Sequence, residues 1–292
     1  MAQSCYINSM AAVGETDLDG LISQGSARRM SRILRNAVSC SLAALRDGDV
    51  DLPDAIITGT GMGCMENSEK FLIDMCRYGE SCLKPSLFMQ STHNTISSQI
   101  AIALKCHGYN NTYSHNGISF ESALLDAWIQ MRTGQIGSAL VGAYDEVSHL
   151  MRKIMKRIHP EYSRPEEISV AFVLTSERSV RNLCEIMEVK LFHSVEPEYI
   201  SKQLEPRQDK TLMLGLNGVA LNDDPYERMV SHLRYKPDTI QYRKSSGDNY
   251  TVSAKAVYNS AKLLHESNQL DSITILNHSE GSSWAMVRLI KA

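Results

Sequence analysis

The chain has 292 residues, and its 30 lysines and arginines against 33 aspartates and glutamates give a formal net charge of −3. This charge is small and has the wrong sign for a protein that binds nucleic acid through its phosphates. No stretch approaches the roughly 20 apolar residues of a membrane-spanning helix, and the N-terminus lacks the pattern of a signal peptide. The composition therefore predicts a globular protein that partners neither nucleic acid nor a membrane.

The first half of the chain alternates helical and strand-like patterns. Apolar residues at helical spacing predict a helix over 28–46, which Asp-Gly-Asp at 47–49 ends. A buried strand at 55–57 then runs into a glycine-rich turn at 59–63. Further helices are predicted at 66–76, 95–105 and 119–132, and apolar strands at 139–141 and 170–174.

The second half repeats this order. A helix predicted at 250–265 leads into a strand at 273–276 and a loop that contains Gly281. The same order in both halves indicates a weak twofold repeat, and helices that alternate with buried strands are typical of an α/β protein. We therefore expect two packed halves, residues 1–178 and 179–292, within one compact unit.

Cysteine and histidine usage gives no sign of a disulfide framework or a metal site. The seven cysteines include no CxxC pair, and the nine histidines form no HxxxH or HExxH motif. Such cysteines are typical of cytosolic thiols. We therefore expect a cytoplasmic protein with no metal and no other cofactor.

The glycine-rich turn follows a strand, as a phosphate-binding loop does. It lacks the GK[ST] ending that supplies the lysine and hydroxyl of such a loop. No acidic residue is placed to contact a ribose. The preferred interpretation is a tight turn from strand to helix that needs the backbone dihedral angles of glycine.

Four blocks of sequence, in order along the chain, resemble the β-ketoacyl synthases. They are the RMSR stretch at 29–32, the TGTGMG loop at 58–63, the strand at 170–177 and the NHSEGSSWA block at 277–285. The resemblance implies a thiolase-like α/β fold, with two βαβαβαββ halves of which the second is shortened, and a dimer. It is nearest to the compact ketosynthase-like proteins of aryl polyene and flexirubin-type pathways, some of which act as chain length factors.

A fifth block resembles the turn where these enzymes place their nucleophile. In the family, a strand ending in Ser/Thr-x-Cys runs into a buried helix, and a thiolate at the helix N-terminus holds the acyl chain. Alignment of segment 111–127 with this block puts Gly117 at the cysteine. No cysteine lies between Cys106 and Cys184, so a shifted alignment would not supply one either.

Two histidines of the family stabilise the enolate formed when a malonyl thioester loses CO2. The segments 214–223 and 243–248 resemble the stretches that contain them, and the two positions fall on Gly215 and Asp248. The resemblance therefore implies that all three catalytic side chains are absent. For Asp248 we also prefer a structural role, in which the carboxylate accepts amide hydrogen bonds from the helix that follows.

The residues that bracket this turn are the predicted lining of an acyl pocket. They are Ser114, His115, Asn116, Ile118, Phe120 and Glu121. The rings of Phe120 and Trp128 are large enough to fill such a pocket. A hydrolase pair made of Ser114 and His115 is disfavoured, because neighbours on a strand point to opposite faces and no G-x-S-x-G elbow is present.

Three functions fit these observations. The first is a non-catalytic subunit that pairs with an active ketosynthase through the strand 110–114, lies near the docked acyl carrier protein, and sets chain length in fatty acid or aryl polyene-type polyketide synthesis. The second is a divergent β-ketoacyl-[acyl carrier protein] synthase or acyltransferase that works without the usual cysteine. The third is a homodimeric acyl-chain-binding protein. Turnover by the isolated protein would distinguish the second from the first.

Overall fold

The computed structural model describes residues 3–158, 165–279 and 283–292. Residues 280–282, which include the predicted Gly281 loop and part of the 277–285 block, lie outside the described residues. The strands are β1 (Tyr6–Ala12), β2 (Ala55–Gly59), β3 (Tyr109–Tyr113), β4 (Ser138–Asp145), β5 (Ile168–Thr175), β6 (Cys184–Phe192), β7 (Thr211–Leu214), β8 (Asp238–Gln241), β9 (Ser272–Ser279) and β10 (Ser283–Lys291). The helices are α1 (Gln24–Ala27), α2 (Arg32–Gly48), α3 (Met65–Tyr78), α4 (Pro85–Met89), α5 (Thr95–Leu104), α6 (Ser119–Arg132), α7 (His149–Ile158), α8 (Pro197–Leu204), α9 (Ala220–Ser231), α10 (Tyr242–Ser246) and α11 (Ser253–Glu266).

The described strands form one mixed sheet in the order β3-β2-β4-β5-β1-β6-β10-β9-β7-β8. In the first half, β2 lies parallel to β3 and β4, and β5 lies antiparallel to β4 and β1. The second half repeats this arrangement, since β7 lies parallel to β8 and β9, and β10 lies antiparallel to β9 and β6. The predicted α/β fold with two like halves is confirmed. The boundary after residue 178 falls in the connection between β5 and β6 and stays a prediction.

Three apolar clusters show how the helices cover this sheet. β5 contributes Phe172 to the central cluster and Val173 to an outer one, because successive side chains of a strand point to opposite faces. The central cluster also holds Phe120 of α6 and Val257 of α11, so these two helices lie between the halves. α2 and α5 cover the outer face of the first half, and α8 and α9 cover that of the second. Each half of the sheet therefore forms its own layer, and the layers alternate helix, half-sheet, helix, half-sheet, helix.

The predicted helices match the observed ones apart from their ends. α6 has the predicted bounds. α2 begins at Arg32 because Ser31 before it is extended (φ −64°, ψ 167°), and it ends where Asp49 adopts a left-handed conformation (φ 55°). α11 begins at Ser253, later than the predicted 250.

The glycine-rich turn is held by Asp145 at the end of β4. Oδ1 of Asp145 accepts hydrogen bonds from the backbone N–H groups of Gly61 (3.0 Å) and Met62 (2.8 Å) and from the Thr60 hydroxyl (2.8 Å). Thr251, just before α11, donates its hydroxyl to Oδ2 (2.8 Å). The amides that would cradle a phosphate are occupied by an internal carboxylate, so the turn is structural, as predicted.

Only one of the glycines in this turn uses its backbone freedom. Gly63 has a φ of 63°. A Cβ on Gly59 would lie 2.6 Å from the backbone nitrogen of Phe120, and a Cβ on Gly61 would overlap the side chain of Tyr250. The prediction that the turn needs the backbone dihedral angles of glycine is therefore confirmed for Gly63. It is wrong for Gly59 and Gly61, which are glycines because their neighbours leave no room for a side chain.

The Asp145→Ala variant should lose about 3 kcal/mol of unfolding free energy, because several buried donors lose one shared acceptor. The matched control is Asp47→Ala, at an exposed site, which should change the unfolding free energy by less than about 0.5 kcal/mol. Urea denaturation followed by circular dichroism measures both. Equal midpoints for the two variants would show that Asp145 does not hold the turn.

Candidate functional site

The turn that carries Gly117 joins the edge strand β3 to the buried helix α6. A short 3₁₀ turn at Asn116–Ile118 makes the connection, and Asn116 adopts a left-handed conformation with φ 49°. Ser119 closes the turn, since its hydroxyl accepts from the His115 backbone N–H (2.8 Å) and donates to the Asn116 carbonyl (2.7 Å). The strand, sharp turn and helix that the sequence predicts here are all present.

The space beside Gly117 is occupied by Ser279 at the end of β9. A Cβ built on Gly117 would lie 2.5 Å from Oγ of Ser279 and 2.9 Å from its Cβ. Because Cβ of Ser279 is fixed to the backbone, any larger residue at position 117 would require this end of β9 to move. Gly117, the predicted position of the nucleophile, therefore lacks both a side chain and the room for one.

Four cysteines elsewhere in the chain are poor substitutes for a nucleophile. Burial raises the pKa of Cys40 and Cys64 to about 12. Burial also raises the pKa of Cys5 and Cys184 far above the ordinary thiol value. Catalytic cysteines need a lowered pKa, so these four are inert packing residues.

Gly215, the predicted position of the first family histidine, lies against two tyrosine hydroxyls. A Cβ on Gly215 would lie 2.7 Å from Oη of Tyr242 and still closer to Oη of Tyr226, with Nε of Arg243 at 3.1 Å. Both tyrosines are buried. An imidazole has no place here, because internal side chains already fill the space.

Asp248, the predicted position of the second family histidine, forms an ion pair with Arg243. It also accepts a hydrogen bond from the side-chain amide of Asn217 at 2.8 Å. Burial lowers the pKa of Arg243, but Tyr242, Asp248 and Tyr226 raise it more, so its guanidinium stays charged. The residue at the N-cap of α11 is Val252. The predicted capping role of Asp248 is therefore wrong, because its carboxylate is committed to a neighbouring cation.

Asn277 on β9 connects these positions. Its side-chain amide donates to the Gly117 carbonyl (2.6 Å) and to Oε1 of Glu121 (2.8 Å). Its Oδ1 accepts from the Tyr242 hydroxyl (3.0 Å) and from Nη2 of Arg243 (3.1 Å). Asn277 thus joins the turn at Gly117 to Arg243, which pairs with Asp248, and to Tyr242, whose hydroxyl lies against Gly215.

Two titratable groups in this network have shifted pKa values. Burial raises the pKa of Glu121 to about 7, although Ser253, Asn277 and Arg243 lower it. Burial and, to a smaller extent, the Arg243 charge lower the pKa of His278 to about 4. The His278 ring is therefore neutral at pH 7.

The His278 ring is part of an aromatic stack. Its centroid lies 4.7 Å from that of Trp284 and 6.1 Å from that of Tyr226. The backbone N–H of His278 donates to the Tyr226 hydroxyl at 2.6 Å. This histidine is fixed by packing and occupies neither of the two family histidine positions.

A cavity of about 160 Å³ opens at this place. It has room for a group near the size of a benzene ring, well below the usual 300–1,000 Å³ of a pocket for a larger ligand. It is lined by Gly117, Met155, Pro165, Asn222, Arg243, Asp248, Asn249, Tyr250, His278 and Ser279. The site is therefore a small cavity rather than an open acyl tunnel.

Three of the predicted lining residues are exposed, next to the sheet edge. They are Ser114, His115 and Asn116. The His115 ring packs edge-on against Tyr113, with 5.6 Å between centroids, and its Nδ1 lies 3.0 Å from the Ser122 hydroxyl. These side chains face outward, where a second subunit could reach them, and they do not line the cavity.

The other three predicted lining residues are buried: Ile118, Phe120 and Glu121. They are not among the cavity's lining residues either. Phe120 packs against Phe172 with 5.6 Å between ring centroids, and Trp128 donates to the Ile186 carbonyl at 3.0 Å. Neither Phe120 nor Trp128 fills the cavity. The acyl-pocket role of all six residues stays a prediction.

Several residues of the site were not found from the sequence. Tyr226 and Tyr242 gave no signal, because nothing in their local patterns places them near Gly215. Asn277 and His278 lay within a family-like block but had no assigned role. The basic residue at the start of segment 243–248 was the one available hint to the Arg243–Asp248 pair.

The sequence of residues 15–218 matches the family described as "Beta-ketoacyl synthase, N-terminal domain". This match covers more than half of the chain, so the chain belongs to the β-ketoacyl synthase family. No curated protein sequence matches it.

Solved ketosynthase structures have the same fold. A chain of AntDE:AntF, a type II PKS acyl-carrier protein in complex with its ketosynthase, aligns with 99% of this chain and 100% of its own length (TM-score 0.84, 13% identity). A chain of the ishigamide ketosynthase/chain length factor covers 100% of both (TM-score 0.80, 14% identity). A chain of the ketosynthase–chain length factor complex from Xenorhabdus doucetiae aligns with 99% of this chain and 98% of its own (TM-score 0.79, 14% identity). At these identities the likeness establishes the thiolase-like fold.

The part of the chain that the structure describes contains neither a membrane-spanning helix nor a metal-binding cluster. Within 3–158, 165–279 and 283–292, no helix has the length and apolar character needed to cross a membrane. Across the same ranges, no cluster of three or more His, Cys, Asp or Glu side chains is arranged to hold a metal ion.

The Gly215→Ala variant should be less stable by about 1–3 kcal/mol, because the added methyl group collides with two buried tyrosine hydroxyls. Gly25→Ala is the control, since a Cβ there meets no neighbour, and it should cause no comparable loss. Thermal or urea unfolding measures both. Stability equal to the parent in Gly215→Ala would mean that the space at this position is open.

Glu121 should make the folded state less stable as pH rises. Because its folded pKa is raised from 4.5 to about 7, the folded state holds a proton that the unfolded state has released. Stability is therefore lost from about pH 4.5 upward, and the loss is complete above about pH 7, at about 3 kcal/mol. Glu121→Gln should flatten this part of the profile when unfolding is measured at pH 5 and pH 8.

Glu177→Gln, at an exposed position, is the matched control and should leave the pH profile unchanged. Glu146 has a pKa that burial also raises to about 7, so part of the slope remains in every variant. Identical slopes for Glu121→Gln and the parent would contradict the assignment.

Proposed function

We propose that this protein is a non-catalytic β-ketoacyl synthase-like subunit that pairs with an active ketosynthase and sets acyl chain length in fatty acid or polyketide synthesis of the aryl polyene type. The observation that carries this proposal is that Gly117, Gly215 and Asp248, the predicted positions of the catalytic side chains, carry neither a thiol nor an imidazole, and that other side chains lie against the first two. Each position lacks the catalytic group, and the first two lack the space for it.

The chemistry of condensation supports the proposal. The first step needs a thiolate at the N-terminus of α6 to take the acyl group, and Gly117 with Ser279 against it offers none. The second step needs neutral donors aimed at an enolate oxygen. At that place this chain has the carboxylate of Asp248, whose charge is already balanced by Arg243.

The sheet edge supports pairing with a second subunit. β3 is the terminal strand of the described sheet and pairs with β2 along one side. Its other side offers backbone donors and acceptors, flanked by polar side chains, and such an edge suits hydrogen bonding to another strand. In the family, the strand before the nucleophile turn forms the subunit contact. The ketosynthase–chain length factor complexes with the same fold suggest an active ketosynthase as the partner.

Chain length would be set from the same edge. Ser114, His115 and Asn116 are exposed directly after β3, so in a pair they would lie close to the partner's acyl tunnel. The volume of these side chains would decide how far a growing acyl chain extends in the tunnel, just as the volume of an enzyme's binding pocket discriminates between substrates of different size.

The decisive experiment is a mass-spectrometric assay of acyl transfer and malonyl decarboxylation, with malonyl- and acyl-carrier protein as substrates. It is run on this protein alone, on its cognate ketosynthase alone, and on the co-expressed pair. We expect no turnover by this protein alone, and altered activity or product length in the pair. Turnover by the isolated protein would overturn the proposal in favour of a divergent acyltransferase. A stable homodimer that copurifies with lipid and ignores the ketosynthase would favour an acyl-chain-binding protein.

Two variants sharpen this assay. Gly117→Cys should give no acyl transfer, because the thiol would have neither room nor histidine partners. His115→Phe in the pair should shift products toward shorter chains, whereas His265→Phe, exposed on α11, should leave the distribution unchanged. An unaltered product distribution for His115→Phe would remove this residue from the tunnel wall.

A further inference from the structure

The cavity beside Gly117 has walls that suit an aromatic ring. Met155 of α7 and Pro165 contribute apolar surface to it, and Tyr250 and His278 contribute aromatic side chains. Thioether sulfur and aromatic side chains both make favourable contacts with a ring. The volume of about 160 Å³ is close to that of an engineered protein cavity that binds benzene. The cavity therefore fits a flat, largely apolar molecule with a single ring.

The charges that face this cavity cancel. Among the described residues that line it, Arg243 and Asp248 are the charged ones, and they form an ion pair with each other. Burial and the Arg243 charge lower the pKa of His278 to about 4, so this ring is neutral at pH 7. An anion in the cavity would lie near a carboxylate and would find no cation that lacks a partner, which makes its burial costly. An uncharged ligand avoids this cost.

Two polar groups beside the cavity are free to bind a ligand. Within the described residues, neither ring nitrogen of His278 nor the hydroxyl of Ser279 takes part in a hydrogen bond, whereas the His278 backbone N–H donates to Tyr226. Both His278 and Ser279 line the cavity. A neutral imidazole offers one donor and one acceptor, and a hydroxyl can act as either. A single hydroxyl on the ligand would match them.

We propose that this cavity is a binding site for a small uncharged phenol, with the ring among Met155, Pro165 and Tyr250 and the hydroxyl hydrogen-bonded to the His278 ring. The inference rests on the proposed function, because a site without a nucleophile holds such a ligand without converting it. It goes beyond that function by giving the cavity a ligand of its own, separate from the acyl chain in the partner's tunnel.

The ligand would act on the stability of the subunit. The cavity lies between Met155 of α7 and Ser279 at the end of β9, so an occupant contacts both elements. Asn277 on the same strand already holds the Gly117 carbonyl. Because this cavity exists only in the folded state, phenol should stabilise the fold in proportion to its occupancy.

A fatty acyl chain is the competing occupant. The cavity is well below the usual volume of a pocket for a larger ligand. An alkyl chain also has no donor for the acceptor nitrogen of His278, and a polar group that loses water without gaining a partner is costly. Both considerations favour the phenol.

The test is isothermal titration calorimetry of the full-length chain with phenol. We expect a dissociation constant of about 1 mM, an ordinary value for so small a ligand. Met155→Trp should weaken binding about ten-fold or more, because the larger side chain fills the cavity. Met151→Trp is the matched control, since Met151 is half-buried on the same helix but is not a lining residue. It should retain the parent affinity within about two-fold.

A second variant tests the hydrogen bond. His278→Phe keeps an aromatic ring against Trp284 but removes both ring nitrogens. It should weaken phenol binding about five-fold and leave the affinity for toluene nearly unchanged, because toluene forms no hydrogen bond. Retained toluene binding also shows that the variant folds. An equal loss for both ligands would remove His278 from the role of hydrogen-bonding partner.

Three outcomes would overturn the proposal. They are no binding of phenol to the parent chain, equal affinities for the Met155→Trp and Met151→Trp variants, and tighter binding of benzoate or of octanoyl-N-acetylcysteamine than of phenol. The result is separable from the acyl-transfer assay. Phenol binding together with turnover by the isolated protein would keep the ligand site and reject the non-catalytic role. A protein that is silent alone, active in the pair and unable to bind phenol would do the opposite.

Discussion

The structure of the site depends on the side chain of Asn277. Its amide nitrogen donates hydrogen bonds to the Gly117 carbonyl and the Glu121 carboxyl of the first half. Its amide oxygen accepts hydrogen bonds from Tyr242 and Arg243 of the second half. Because all these groups are buried, loss of the amide would leave several of them without a partner, and such groups are costly in a low-dielectric interior. The network therefore fixes the turn before α6 relative to the second half.

The first half makes a reciprocal contact. Asp145, at the end of β4, accepts from Thr251 just before α11, while Asn277, near the end of the corresponding strand β9, donates to Gly117 just before α6. Each half thus anchors the start of the other half's central helix by a polar side chain at a strand end. The contacts that join the halves therefore follow the same twofold repeat as the order of the strands.

The predicted catalytic positions differ from the family pattern in two ways: the catalytic groups are missing, and the space beside Gly117 and Gly215 is taken by other side chains. Ser279 occupies the space beside Gly117, and Tyr226 and Tyr242 occupy that beside Gly215. In the Arg243–Asp248 ion pair, the side chain of Arg243 is only 10% exposed and that of Asp248 only 15%. Removal of one partner of such a pair is strongly unfavourable, so a return to histidine at 248 would need several compensating changes.

The sequence by itself determined the α/β class, the bounds of α6 and the structural role of the glycine-rich turn, and it predicted a glycine at the nucleophile position. These depend on local periodicity and on motif order, which are properties of neighbouring residues. Only the tertiary structure decided that Asp248 pairs with Arg243 rather than capping α11, and that Phe120 packs away from the cavity. It also brought Asn277 to Gly117, 160 residues away in the chain. The contacts of Phe120 and Asn277 join segments remote in sequence, and even for Arg243 and Asp248, five residues apart, no local pattern encodes which donor meets which acceptor.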